Sequence, residues 1–284
     1  MPPARYRAGR DDARAANRTV TLVAGMGERA LRDALDFALD AAWKAGRSTL
    51  GFFQTGLAVE RKADESPVTE ADRGAERLLR GLIERYYPDD GIIGEEYGRS
   101  AGTSGRVWII DPIDGTKSFI HGVPLYGCLL ALAEGDHALV GVAHFPALDE
   151  TVAAARGLGC TWNGRRAHVS AQGELREATL LLSEVTGYRG NQAACDALVA
   201  ATRIQRTWGD SYGYLLVATG RADVMADPAM HIWDNGPFDV ILPEAGGTFT
   251  DWAGRAGLSA PATVATNGLL FDPVMALIHQ NGGG

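Results

Sequence analysis

The segment Asp111-Pro-Ile-Asp-Gly-Thr116 constrains the fold more than any other part of the sequence. It follows the apolar run 107–110, which is bounded by turn residues and predicts a short buried strand. Pro112 has no N–H to donate and a fixed φ, so we expect it to end the strand and turn the chain. The ends of strands in layered α/β sheets are where ligands usually bind. The segment therefore predicts a ligand site at a sheet edge.

The polar groups of this segment suit a metal ion and a phosphate. Asp111 and Asp114 stand three residues apart around the turn and can point at a common centre. Carboxylates and carbonyls without His or Cys favour a hard cation, Mg²⁺ first. Gly115 and Thr116 offer backbone N–H groups at a predicted helix start, where phosphates bind. Asp-Pro and Asp-Gly are also common turn dipeptides, so these residues alone leave a structural role open.

Three further acidic residues stand at the ends of other predicted elements. Glu95 follows a short apolar strand, and Asp234 opens a helix predicted over 234–245. An Asp at a helix start is usually a cap. Asp72 comes three residues after Thr69, which is the spacing of a capping box. Position alone therefore leaves capping and ligand binding open for Asp72 and Asp234.

Composition excludes several classes of protein. Lys and Arg number 27 against 35 Asp and Glu, so the net charge of −8 disfavours a nucleic-acid partner. The scattered Cys128, Cys160 and Cys195 indicate a reducing compartment without a disulfide framework or zinc ribbon. No apolar run approaches the length of a membrane span. We therefore expect a cytoplasmic protein with neither nucleic-acid nor membrane partners.

The predicted elements indicate one folded unit behind a leader. Residues 1–20 carry charge but no apolar stretch and are interpreted as a disordered leader. Residues 21–284 are predicted to form a single domain, with an α+β half over about 21–170 and an α/β half over about 171–280. Helices alternate with largely antiparallel strands, so the fold class is α+β or layered α/β.

Three motifs in this order resemble the signatures of the inositol monophosphatase family of metal-dependent phosphatases. They are GEE at 94–96, DPIDGT at 111–116, and WD at 233–234 followed by EAGG at 244–247. The resemblance implies a five-layered α-β-α-β-α sandwich, usually a homodimer. It also implies hydrolysis of a small phosphate monoester with two to three Mg²⁺ per subunit.

The resemblance also implies a metal-binding set when it is transferred position by position. The implied ligands are Glu95, Asp111, the carbonyl of Ile113, Asp114 and Asp234. Asp111 would bridge two ions, and Glu95 would also face a third, weaker site. Pro237 is acceptable in the first turn of the helix after Asp234, whereas Pro243 would remove a hydrogen bond from its last turn.

The catalytic residues implied by the family lie around these ligands. Asp72 and Thr116 would orient the attacking water, with Glu95 in the same catalytic group. The amides of Gly115 and Thr116 would hold the phosphoryl oxygens. Lys62 stands at a position that the family often keeps near the site, although a loop lysine is usually just solvated.

The segment 208–220 resembles the histidinol-phosphate phosphatases of the family. Asp210 and Asp227 would place two carboxylates beside the alcohol portion of the substrate, which in histidinol phosphate carries an ammonium and an imidazole. Inositol 1-phosphate stays an alternative, because inositol phosphatases also tend to have an acidic residue at the position of Asp227. A non-catalytic metal-binding scaffold is a third hypothesis, disfavoured because every implied metal carboxylate is present.

Overall fold

The computed structural model describes residues 26–56, 58–61, 67–188 and 191–282. The predicted leader, residues 1–20, and Lys62 lie outside the described residues. The helices are α1 (Glu28–Thr49), α2 (Glu70–Tyr86), α3 (Thr116–Ile120), α4 (Gln192–Ala201), α5 (Ser211–Ala218), α6 (Ile232–Asn235), α7 (Phe238–Glu244) and α8 (Phe271–Asn281).

The strands of the first part of the chain build a short hairpin and a large sheet. They are β1 (Glu60–Arg61), β2 (Pro67–Val68), β3 (Gly91–Gly94), β4 (Gly98–Ser100), β5 (Arg106–Asp114), β6 (Gly127–Glu134), β7 (His137–Phe145), β8 (Glu150–Ala155), β9 (Gly159–Trp162) and β10 (Arg165–Arg166). The large sheet has the order β10-β9-β8-β7-β6-β5-β3-β4. All its pairs are antiparallel except β3 with β5, which is parallel.

The later strands build a second, smaller sheet. They are β11 (Thr179–Leu182), β12 (Ile204–Arg206), β13 (Val224–Asp227), β14 (Thr248–Asp251) and β15 (Thr263–Thr266). The order is β12-β11-β13-β15-β14, parallel for the first three strands and antiparallel for the last two pairs.

The two sheets and the helices form five layers. One apolar cluster packs α1 and α2 against the outer face of the large sheet. A second cluster contains α5, α7 and the facing sides of both sheets, so these helices form the middle layer. A third packs α4 and α8 against the outer face of the small sheet. The α-β-α-β-α sandwich predicted from the resemblance is confirmed.

The helix that was predicted to begin at Asp234 is interrupted. The sequence predicts one helix over 234–245, but α6 ends at Asn235 and α7 begins at Phe238. Pro237 has no N–H for the carbonyl one turn earlier, which breaks the hydrogen-bond ladder while φ and ψ stay right-handed. Pro243 lies in the last turn of α7, and Gly246, at φ 92°, provides a left-handed residue just after the helix end.

The strand before the turn is longer than predicted. Pro112 does not end β5, which continues to Asp114 through a β-bulge that places two residues opposite one of β6. A bulge tolerates a residue without an N–H, which explains how the strand accommodates the proline. Among the described residues, no helix is long and apolar enough to cross a membrane.

Candidate metal and phosphate site

The parallel pairing of β3 and β5 brings Glu95 beside Asp111. Gly94 is in register with Ile110, so the next residue of each strand leaves the sheet at the same edge. The Glu95 N–H donates to the Ile110 carbonyl over 3.2 Å, which continues the pairing by one residue. Two carboxylates that are 16 positions apart in the sequence thus become neighbours.

The bulge in β5 orients Asp111 and Asp114. The Asp111 carboxylate accepts the Ile113 N–H at 3.1 Å, which stabilises the tight backbone. The Asp114 carboxylate accepts the Ser211 N–H at 2.8 Å, at the first turn of α5. The second contact ties the edge of the large sheet to the middle layer.

Asp234 completes a group of three carboxylates with Asp111 and Asp114. One oxygen of each lies within 4.8 Å of the others. Burial raises the pKa of all three, and repulsion among the carboxylates adds to it; the pKa of Asp234 rises to about 6. Such a group repels itself when ionised and contains only oxygen donors, which fits a hard divalent cation.

Asp234 is both a cap and a member of this group. The helix begins at Ile232 rather than at Asp234, and Asp234 is the third residue of a capping box in which its Oδ2 accepts the His231 N–H at 2.7 Å. The two roles are compatible because a carboxylate has two oxygens and about four acceptor positions.

Asp72 shows the same combination. Its Oδ2 accepts hydrogen bonds from the N–H and the hydroxyl of Thr69, at 2.8 and 2.6 Å, so the predicted capping box is present. Its Oδ1 is buried and has no hydrogen-bond partner among the described residues. Burial raises the Asp72 pKa, and the nearby Glu95 contributes. Asp72 is not among the residues that line the cavity, and its Oδ1 remains an acceptor without a partner.

The short turn after β5 supplies the remaining predicted groups. Gly115 has φ 77°, and a Cβ there would lie 3.0 Å from an Asp210 oxygen, so only glycine fits. The Thr116 hydroxyl donates to the Ile113 carbonyl at 3.0 Å, which holds that carbonyl in place.

These residues line one cavity of about 430 Å³. Of the predicted site residues, it includes Glu95, Asp111, Ile113, Asp114, Gly115, Thr116, Asp210, Asp227 and Asp234. Asp210 precedes α5 and Asp227 ends β13, so both belong to the side of the smaller sheet. Burial raises the pKa of both, that of Asp227 to about 7. With Glu184, seven carboxylates therefore face one cavity.

Sequence reasoning missed several residues at this cavity. Lys117 donates to Glu184 at 3.0 Å, an ion pair that joins α3 of the large-sheet side to the loop after β11. His231 matches no metal-binding spacing in the sequence, which indicates a surface or packing residue, but it lines the cavity and stacks on Trp233 with ring centres 4.8 Å apart. In the sequence, His231 lies between the predicted site residues Asp227 and Asp234. This position could have identified it as a residue near the site.

The chain belongs to the inositol monophosphatase family, whose model matches residues 30–281. The predicted family is thereby confirmed, and with it the enzyme class, the phosphoric monoester hydrolases. The chain is 45% identical to a histidinol-phosphatase of Chlorobaculum parvum, over 86% of this chain and 96% of that protein. It is 40% identical to a histidinol-phosphatase of Mycobacterium tuberculosis, over 87% and 98%.

A solved structure shows the same fold. An IMPase from Thermotoga maritima superposes with a TM-score of 0.80 and 33% identity, covering 87% of this chain and 97% of that one. The likeness extends over both sheets, because the matched part includes nearly all described residues.

Proposed function

We propose that the protein is a Mg²⁺-dependent phosphatase that hydrolyses L-histidinol phosphate to L-histidinol and phosphate. The observation that carries this proposal is the excess of carboxylates in the cavity. Asp111, Asp114 and Asp234 provide the donor set of a cation site. Asp210 and Asp227 add negative charge outside that group. A substrate whose alcohol portion carries an ammonium and a titratable imidazole suits these two carboxylates.

The metal ligands are proposed from the family pattern. They are Glu95, Asp111, the carbonyl of Ile113, Asp114 and Asp234, which together would hold two to three Mg²⁺ per subunit. When bound, Mg²⁺ would stabilise negative charge on the phosphoryl group during in-line attack by water. The oxygen-only donor set and the raised carboxyl pKa values support this assignment.

The other polar groups would position the water and the phosphate. The free Oδ1 of Asp72, fixed by Thr69, would accept a hydrogen bond from the attacking water. The Thr116 hydroxyl, whose proton goes to Ile113, retains lone pairs for the same water. The N–H groups of Gly115 and Thr116 would donate to phosphoryl oxygens.

Inositol 1-phosphate is the alternative substrate. Asp227 could bind ring hydroxyls as readily as a cation, and the Thermotoga maritima IMPase shares the fold. The higher identity to the two histidinol-phosphatases and the presence of Asp210 favour histidinol phosphate. A non-catalytic scaffold is disfavoured because Asp72, Thr116 and the metal carboxylates are all retained.

A substrate panel tests the proposal. Purified protein with Mg²⁺ is expected to hydrolyse histidinol phosphate with a kcat/KM at least about tenfold above that for inositol 1-phosphate. The reverse preference would replace the substrate while leaving the reaction class intact. No metal-dependent phosphate release from any monoester would overturn the reaction itself.

We also propose, from the family resemblance, that the enzyme is a homodimer and, from its scattered cysteines and composition, that it works in the cytoplasm. Light scattering of the purified protein measures the first, and fractionation of the producing cells measures the second. A monomer at micromolar concentration or a secreted protein would contradict the respective statement.

A further inference from the structure

Glu76 is a completely buried carboxylate that lies outside the cavity. It stands in α2 one turn after Asp72, on the buried face of that helix, and its side chain is 0% exposed. Burying an ionised group costs free energy unless it is paired and hydrogen-bonded. The partners of Glu76 therefore indicate what its carboxylate does.

Those partners belong to the turn that carries Glu95. Glu76 Oε2 accepts the Glu96 N–H at 2.7 Å, and Oε1 accepts the Tyr97 N–H at 3.2 Å. A Cβ on Gly94 would lie 2.0 Å from Glu76 Oε1, so the strand end closes onto the carboxylate and only glycine fits there. The turn between β3 and β4 is thus built around an anion.

Arg80 completes this arrangement from the next turn of α2. Its Nε donates to Glu76 Oε1 at 2.7 Å, and the guanidinium also donates to the Gly98 carbonyl and, at 3.1 Å, to Ser100 Oγ. The pair neutralises the buried charge and attaches α2 to β4. Both ends of the turn are therefore tied to the same helix.

We propose that Glu76 is a positioning residue that holds Glu95 ready for the metal. Glu95 is fixed on one side by its N–H bond to Ile110 and on the other by the two N–H groups that Glu76 accepts. Without Glu76, ordering the Glu95 turn would oppose metal binding. The inference rests on the proposed role of Glu95 as a metal ligand.

Calorimetric titration of the full chain with Mg²⁺ tests the inference. Glu76→Gln keeps the shape but loses one acceptor oxygen, and we expect the Mg²⁺ Kd to rise about 10- to 100-fold. Turnover at saturating Mg²⁺ should return close to the wild-type kcat. Glu84→Gln, an exposed position of the same helix, is the matched control and should leave the Kd unchanged.

A variant of Glu95 distinguishes failure of the inference from failure of the proposed function. Glu95→Gln should also weaken Mg²⁺ binding; if it does and Glu76→Gln does not, the inference is overturned and the proposed function stands. If Glu95→Gln binds Mg²⁺ like the wild type, the ligand role of Glu95 fails and the inference fails with it. A lower Tm of folded Glu76→Gln with an unchanged Kd would show a merely structural role.

Arg80→Lys covers the case in which Glu76→Gln does not fold. It keeps the positive charge but cannot reach Glu76 and Gly98 together, so the Kd should rise severalfold. An unchanged Kd in this variant would overturn the inference.

Discussion

Asp111 combines two opposing demands in one side chain. Its carboxyl is buried, and its pKa is raised well above the ordinary value by burial and by the neighbouring Glu95. Keeping it ionised without a cation costs free energy of folding, but only the ionised form binds a metal well. On the proposed assignment, the same group therefore destabilises the metal-free protein and contributes to its affinity for the cation.

Replacing Asp111 separates these two effects. Asp111→Asn should lower kcat/KM at least about 1,000-fold, because on the proposed assignment Asp111 is a ligand of two ions. It should also raise the Tm of the metal-free protein at pH 8, because one buried charge is removed. Phosphate release and thermal unfolding without Mg²⁺ measure the two. Retained activity would contradict the bridging role, and a lower Tm would contradict the electrostatic account.

The buried carboxyl groups also predict how stability depends on pH. Burial raises the pKa of Asp234 to about 6 and that of Asp227 to about 7, from 3.8 for the free side chain. Between pH 3.8 and about 7, the folded protein binds more protons at these two groups than the unfolded chain does. The free energy of unfolding therefore falls as pH rises through this range. On the proposed assignment Mg²⁺ binds the ionised form of Asp234 and of the other ligand carboxylates, so the rise in Tm that Mg²⁺ causes should grow between about pH 5.5 and 8.

The difference between the Tm values with and without Mg²⁺ at each pH is independent of an opposing contribution to the pH dependence of stability. Burial lowers the pKa of His144 to about 4, which makes stability fall as pH drops below 6.5. His144 does not line the cavity, so its effect cancels in the difference. A Mg²⁺-induced shift that stays constant over the range would contradict the prediction.

Asp210 is the residue through which the substrate can be tested. Asp210→Asn keeps the shape and removes the charge, so kcat/KM for histidinol phosphate should fall about 10- to 100-fold. Hydrolysis of p-nitrophenyl phosphate, which has no cationic group, should change far less. Equal losses for both substrates would remove Asp210 from substrate recognition.

At the scale of single residues, the sequence predicted which residues belong to the site better than it predicted their contacts. The carboxylates at 95, 111, 114 and 234 were singled out from motifs, and the structure brings them to one cavity. The capping box at Thr69 and Asp72 also follows from spacing alone. Glu184 and Lys117 could not be paired from sequence, because their ion pair joins positions 67 residues apart on different elements.

Among the elements, α7 depends on a close approach to the large sheet. A Cβ on Gly141 of β7 would lie 2.4 Å from the Pro237 carbonyl oxygen, at the start of α7. The backbone atoms there cannot move aside as a flexible side chain would. The absence of a side chain at Gly141 therefore sets the distance between the sheet and the helices that follow Asp234.

Two glycine substitutions give opposite predictions. Gly141→Ala should destabilise the protein by about 1–3 kcal/mol, because it forces α7 away from β7. Gly81→Ala, at an exposed position of α2 with no atom within 4 Å of the new Cβ, should stabilise it by about 0.5–1 kcal/mol. Urea unfolding measures both. Equal effects would show that the packing at Gly141 is not decisive.

The positions of elements were predicted where the local signal was strong. The apolar runs 125–133 and 138–145, separated by Gly135-Asp136, indicate the hairpin that β6 and β7 form. Asn163-Gly164 is a type I′ turn signal, and the two residues have φ of 46° and 75°.

The prediction of one helix over 234–245 was wrong, because the helix breaks at Pro237. Pro237 was expected to be tolerated in a first helical turn, and the helix breaks there instead. The bulge that accommodates Pro112 was missed. For Pro112 the sequence identified the missing N–H but not the bulge that lets the strand continue.

At the scale of the molecule, the middle layer unites the two halves. One apolar cluster contains Ile109 and Leu129 of the large sheet, Met225 of the small sheet, and Leu215 and Ile241 of the helices between them. Neither sheet can keep this face buried without the other. We therefore propose that the two halves fold and unfold together, as the predicted single domain requires.

One cooperative unfolding transition is the expected consequence. Urea unfolding followed by tryptophan fluorescence and by far-UV circular dichroism should give coincident curves. Separate expression of 21–170 and 171–280 should yield no Mg²⁺-dependent phosphatase, because the carboxylates of the cavity come from both. Two resolved transitions would contradict the single domain.

The origin of the cavity's side chains has a consequence for how such enzymes diversify. On the proposed assignment, Glu95, Asp111 and Asp114 belong to the large sheet, whereas Asp210 and Asp227 belong to the side of the small one. Mutations in the second group can change which alcohol is accepted without disturbing the first. A designer seeking a new substrate should therefore vary the loops of the small sheet and keep the large sheet constant.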